Sequence, residues 1–312
     1  MKNDDVNEDV YFNGYKVDKE NSEVVYSDEE HVYLGKKNGS KYVSCTTLIS
    51  MYHEKFNKDF WSKYKALEAM LGTTNFKPFK SKLLATKVWN DSYLTGIEKE
   101  DFEVEVKKVL DAWDLKNKTA CEYGTRIHAE QENLFYDKPQ ESIKKYGLGG
   151  NLEVRKNKND IMGYGDGIYP ELLISYTSED EILKLAGQAD LIVREGNRIK
   201  VLDFKTNEKL EFKSYYDPKT KKTQNMLLPL NHLMDCNMVH YQIQLSIYAY
   251  LLQQLNPDFI IDELRIIHFP HEGGQVDYTL EYLKDDVEKL LNHYKISLKK
   301  NAEKDKIKPI IY

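Results

Sequence analysis

At 312 residues, 41% hydrophobic and 31% charged, the chain is long enough for one large domain or two small ones with a sizeable core. No apolar run approaches the roughly 18–20 residues that span a bilayer, and the acidic start MKNDDVNEDV lacks the regions of a signal peptide, so an intracellular protein is expected and a membrane partner is not. A net charge of −6 argues against a uniformly basic nucleic-acid binder, and Cys45, Cys121 and Cys236, with no C-x-x-C, argue against a zinc or iron–sulfur site built on cysteine.

Residues 1–10 read as disordered. From Val10 to Tyr42 short strand-like pieces alternate with turn signals at Asn13-Gly14 and Asn38-Gly39. Residues 1–42 are therefore read as a β extension packed on a core of residues 43–312 that forms one unit. Ser44, Thr46 and Thr47 precede the apolar run LISMY. They fit a helix N-cap and equally a phosphate contact at a helix N-terminus. A helix follows over 56–70, with Phe60, Trp61 and Tyr64 on an apolar stripe. The segment GTTNFKPFK (72–80) reads as a break, and helices resume over 81–90 and 99–116. Lysines cluster at 55, 58, 63 and 65, at 77, 80, 82 and 87, and at 219, 221 and 222. A nuclease needs such local basic surface rather than a basic total, although solvated helix faces look the same.

Gly124-Thr125 reads as the opening of a further helix, capped by Thr125. His128 and Glu132 lie four apart on one of its faces, either as packed or surface residues or as a metal ligand with its neighbour. Residues 137–168 read as mixed, with YGLGGN and GYGDG as loop. Glu171 enters the strand LLISY, either as a carboxylate near a metal or as a solvated strand residue. Residues 207–225 form a lysine-rich insertion readable as a lid, a clamp or a plain loop. A helix is expected from about 239 to 254, with Gln244 and Tyr248 on one face, serving a phosphate or water or simply forming a buried polar pair. The strand ELRIIHF, its partner GGQVDYTL and an amphipathic helix over 280–298 close the chain.

The stretch AGQADLIVREGNRIKVLDFKTN, 186–207, carries the chemistry. Two β-branched strands flank Gly196-Asn197, a two-residue hairpin signal. With that loop, paired positions sum to 393. Asp190 then faces Asp203, Gln188 faces Lys205, and Asp203, Lys205 and Asp190 share a face. Two carboxylates this close require a proton or a cation between them. A divalent ion with oxygen ligands, and a lysine holding water or a phosphate oxygen, would answer that need.

Taken in order, Gly124-Thr125…His128, Gly187…Asp190, Asp203-Phe204-Lys205-Thr206 and Gln244…Tyr248 resemble the PD-(D/E)XK nuclease superfamily. The likeness is to its RecB-like exonuclease branch, including mitochondrial genome maintenance exonucleases and phage-encoded relatives, and it covers residues 40–255. The resemblance implies an α/β fold, a central mixed sheet flanked by helices in a restriction-endonuclease-like core. It implies Mg²⁺ or Mn²⁺ held by His128, Asp190, Asp203 and the Phe204 carbonyl, with Lys205 placing water. Gln244, Tyr248, Thr206 and the Ser44–Thr47 turn would support substrate. Ala189 and Asp203 stand where the superfamily pattern has Pro and often Glu, departures this branch accepts. The iron–sulfur members carry four cysteines, so no cluster is expected. The implied activity is a metal-dependent DNA exonuclease acting on single-stranded ends, within a host cell if phage-encoded, beside replication or recombination proteins. A structure-selective endonuclease and a catalytically silent DNA-binding protein are the alternatives.

Overall fold

Turn chemistry sets the first strands. In the computed structural model, which describes residues 9–217 and 221–307, β1 (Tyr11–Phe12) and β2 (Tyr15–Lys16) close on Asn13 and Gly14, at φ 50° and 84°. That is the backbone of a type I′ hairpin turn. Residues 1–8, read as disordered, lie outside the described residues, as do Lys219 and its neighbours at 218–220. β3 (Lys19–Glu20), β4 (Val24–Ser27), β5 (Val32–Gly35) and β6 (Lys41–Ser44) follow as antiparallel neighbours. The short helix α1 (Cys45–Ser50) comes next.

Residues 55–126 form one compact unit and the remaining described residues another. The smaller unit holds α2 (Lys58–Thr86) and most of α3 (Lys99–Asp137). Phe60, Tyr64, Leu67, Phe76, Leu83 and Phe102 form its core, so Phe60 and Tyr64 are packing residues. The sequence reading is corrected at two glycines. The break at 72–80 is a kink at Gly72 (φ 69°, ψ 164°), and helix resumes immediately after it. The expected start at Gly124-Thr125 is absent, because α3 runs through both residues and Thr125 caps nothing. A single interior glycine costs a helix only about 1 kcal/mol, which the turns on either side outweigh.

In the larger unit, residues 137–168, read as mixed, contain two helices, α4 (Pro139–Tyr146) and the single turn α5 (Ile161–Tyr164), the latter running into the expected loop GYGDG. Then come β7 (Gly167–Thr177), β8 (Lys184–Glu195) and β9 (Arg198–Lys205). The insertion carries a small hairpin of β10 (Tyr216–Asp217) and β11 (Lys222–Thr223). α6 (Asn237–Leu255), β12 (Ile260–His268), β13 (Val276–Leu280) and α7 (Lys284–Ile307) complete the chain.

The result is α/β: a large mixed sheet in the order β13-β12-β9-β8-β6-β5-β4-β3, with β7 on β8 and helices flanking it. β12 runs parallel to β9, and β6 parallel to β8. Through β6 the N-terminal strands continue the main sheet. Leu48, Ile192, Val201, Leu245, Ala249, Leu252 and Leu290 join α1, α6 and α7 to it in one apolar cluster. No described helix is long and apolar enough to cross a membrane.

Candidate functional site

The β8–β9 hairpin forms in the expected register. Gly196 takes φ 61° at the first loop position, and pairs from Glu195↔Arg198 to Leu191↔Leu202 all sum to 393. There the ladder stops. β7 covers one edge of β8 throughout, while the other edge is shared. β9 takes its last five residues and β6 takes Leu185 and Ala186. Asp190 sits in the gap between β9 and β6, where the sheet forks.

This corrects the expectation that Asp190 and Asp203 form a ladder pair and Gln188 faces Lys205. At the fork, the Asp190 carboxylate takes over from the backbone and accepts the Phe204 N–H at 2.6 Å. β9 continues against β12 instead, pairing Asp203 with Ile266 and Lys205 with His268.

A second irregularity crosses the same rung. β7 and β8 pair with a constant sum on both sides of Glu171, which lies level with Asp190. Glu171 itself is at φ 53°, a left-handed backbone costing a side-chain-bearing residue on the order of 1–3 kcal/mol. Tyr169 and Ile192 share a cluster with Leu172, Ile174, Leu185 and Ala189, although strict alternation puts the two groups on opposite faces. The inside–outside pattern therefore slips by one residue in both strands at Glu171 and Asp190, and the register survives. Three acids consequently stand across three neighbouring strands, Glu171, Asp190 and Asp203.

His128 completes the cluster from the last turns of α3. Its Nδ1 lies 3.4 Å from Asp190 Oδ2, and its ring meets Phe204 edge-on at 6.0 Å. Ligand atoms of His128, Glu171 and Asp190 all fall within 4.8 Å of one another. Two ligands of one octahedral ion at roughly 2.1 Å lie at most about 4.2 Å apart, so the trio needs only a small contraction. One imidazole and two carboxylates suit Mg²⁺ or Mn²⁺. Asp203 is not in this trio. It is buried, 1% exposed. Lys205 forms an ion pair with it, and the Lys205 ammonium lies 4.6 Å from the centre of the Tyr241 ring.

Charge without a cation is held by protons. The Asp190 carboxylate beside His128 raises the imidazole to about 9. Burial, then Asp190, pushes Glu171 up to about 7 and Asp203 up to about 6. Burial works against ionisation of Asp190 too, but His128, Lys205 and the Phe204 amide overcome it and hold its pKa low. Burial pulls Lys205 down, yet Asp203 and Asp190 outweigh it and raise the ammonium.

The remaining expected residues divide. Gln244 donates to the Tyr248 hydroxyl at 3.1 Å inside the core. Tyr248 also explains Gly187, because a Cβ there would stand 2.6 Å from Tyr248 Cε1 and 3.0 Å from Cys45 Sγ. Ser44 caps α1, its Oγ accepting the Thr47 N–H at 3.0 Å, with the Thr46 and Thr47 hydroxyls bonded to it. Glu132 accepts from Tyr136 at 2.9 Å and is not in the trio. Thr206 follows β9, half-buried. The Phe204 backbone meets the cluster through its amide. Two neighbours escaped the sequence reading as site residues. Gln188 hydrogen-bonds Glu171, and Lys19 ion-pairs Glu171 at 3.8 Å. Gln188 had a legible signal, lying two residues from Asp190 on one strand; Lys19, 152 positions before Glu171, had none.

No family model matches the chain, and no curated protein does. Among solved structures, one titled "Crystal structure of SSO0001" aligns over 78% of this chain and 87% of its own, at 14% identity and a TM-score of 0.31. A likeness that slight carries no argument.

Proposed function

We propose that this chain is a divalent-metal-dependent nuclease that hydrolyses phosphodiester bonds in DNA, an exonuclease acting on single-stranded ends. The observation that carries the reading is the convergence at the fork of Glu171, Asp190 and His128, with Lys205 and Asp203 one strand away. Buried carboxylates with raised pKa values, one on a strained backbone, are costly to maintain, and they favour a cationic ligand.

His128, Glu171 and Asp190 would hold Mg²⁺ or Mn²⁺, with Asp203 buried on the neighbouring strand and ion-paired to Lys205. The ion would supply Lewis-acid stabilisation of the phosphoryl oxygens and a more acidic water. Lys205, kept cationic by its two aspartates, orients that water or a phosphate oxygen and offsets charge developing on phosphorus. Asp190 fixes the His128 ring by facing its Nδ1. Gln188 and Lys19 fix Glu171. Gln244 and Tyr248 brace β8 from α6.

DNA contact is supported by charge distribution. Residues 55–126 carry 14 Lys and Arg against 11 Asp and Glu in a chain of net charge −6. Between Glu68 and Asp91 stand Lys77, Lys80, Lys82 and Lys87, all exposed, and no carboxylate. Such local basic surface suits a phosphate backbone.

The test is degradation of 5′- and 3′-end-labelled single- and double-stranded DNA in Mg²⁺ or Mn²⁺, with Asp203→Ala and Lys205→Ala in parallel. Folded variants that cut as fast as the parent would remove both residues from the mechanism. Cutting of a closed single-stranded circle would favour an endonuclease. Binding without cleavage in every metal would favour a silent DNA-binding protein.

A further inference from the structure

Beside Glu171 lies a cavity of about 650 Å³ lined by the β1–β2 hairpin, β3 and β7. Its volume is that of a small-molecule cleft, roughly 300–1,000 Å³, and too small for a duplex. Aromatic rings line it: Tyr11 and Phe12 at the hairpin and Tyr136 from α3. Tyr11 is 63% exposed, with no core to fill. Tyr136 is held by its hydroxyl to Glu132 at 2.9 Å and carries Lys156 4.7 Å from its ring centre. Polar groups sit at the side of the cluster. Lys19 lines the cavity and also reaches Glu171. Asn159 has its carboxamide oxygen taken by the Leu173 N–H at 3.0 Å, so its own N–H groups are what it offers a ligand.

We propose that this cavity seats the nucleoside adjoining the phosphate that is cut, its base against Tyr11, Phe12 and Tyr136 and its phosphate turned to Lys19 and Glu171. The assignment rests on the nuclease reading above. Flat aromatic faces accept any base, an amide donor meets base-edge or sugar oxygens, and Glu171 is common to cavity and cluster. A base in the cavity thus places its own phosphate at the fork. The hairpin becomes part of the substrate site, and discrimination among bases is weak because stacking carries the contact.

The test is equilibrium binding of two probes to the full chain in Mg²⁺, deoxyadenosine 5′-monophosphate and deoxyribose 5-phosphate, which differ only by the base. The nucleotide is expected to bind at least about tenfold more tightly, about 1.4 kcal/mol, and Tyr11→Ala to erase most of that difference. Tyr11→Ala is expected to raise KM for a short oligonucleotide about tenfold at unchanged kcat. Its affinity for deoxyribose 5-phosphate, which has no base, is expected to stay within about twofold of the parent's. Equal affinity for the two probes, or an unchanged difference in Tyr11→Ala, would overturn the proposal. Equal weakening of both probes in Tyr11→Ala would also overturn it by making Tyr11 structural. Base-dependent binding lost in Tyr11→Ala, with no cleavage of the oligonucleotide by the parent, would uphold the cavity and sink only the nuclease reading.

Discussion

Asp190 accepts the Phe204 amide at 2.6 Å where β9 leaves β8. A side chain here replaces a backbone carbonyl, so the sheet forks without stranding a buried donor. The same carboxylate faces His128 and stands level with Glu171, so a structural bond and a ligand position share one residue.

That double role separates two substitutions. Asp190→Asn keeps an oxygen acceptor for the Phe204 N–H, whereas Asp190→Ala leaves it buried and unpaired, which costs roughly 1–3 kcal/mol. Urea unfolding should place Asp190→Ala below Asp190→Asn by about that amount, while both lose metal-dependent activity. Equal stability of the two would show that the amide bond contributes little.

In metal-free protein, stability should fall as pH rises from about 5 to 9. Glu171, at about 7, binds its proton more tightly folded than unfolded, so its contribution is present below the ordinary glutamate range and lost as pH rises through 7. His128, at about 9, stabilises below the ordinary histidine range and is lost as pH rises through 9, the same direction. The lowered Asp190 acts only in acid. Melting temperatures in EDTA between pH 5 and 9 should therefore decline, and Mn²⁺ should raise Tm more at pH 8 than at pH 5.5. A flat profile would contradict this.

Gly187→Ala should destabilise by about 1–3 kcal/mol, because the added methyl meets the Tyr248 ring and Cys45 inside a packed core. Tyr248→Phe, which loses only the Gln244 hydrogen bond, should cost about 1 kcal/mol. Chemical denaturation measures both, and a neutral Gly187→Ala would mean that α6 moves away freely.

Lys205→Met should separate binding from chemistry. The trio is intact, so calorimetric Mn²⁺ affinity should change less than about tenfold, while DNA cleavage drops by about 10² or more. Retained cleavage would remove Lys205 from the proposed mechanism.

Much of this was legible because β pairing is arithmetic. Gly196-Asn197 set the register from Glu195 to Leu191, and apolar runs marked the central strands and α6. What was hidden is non-local. Nothing near Asp190 announces that β6 displaces β9 from β8, since that depends on a strand nearly 150 residues earlier. Glu171 was readable as a candidate carboxylate, but its left-handed backbone, and the slip that aims it at His128, arise from packing on both faces. α4 was legible in principle: Pro139 opens it and Gly147, at φ 60°, closes it. Gly124 was over-read as a helix start because one glycine is too weak to break α3.

The most direct measurement is the initial rate of end-labelled single-stranded DNA degradation in Mn²⁺ by the parent chain and by Glu171→Gln, which keeps the side-chain shape and removes one ligand charge. Cleavage by the parent is expected, with a loss of about 10² or more in the variant and unchanged folding by circular dichroism. Equal rates for the two proteins, or no metal-dependent cleavage by the parent, would contradict the proposed function.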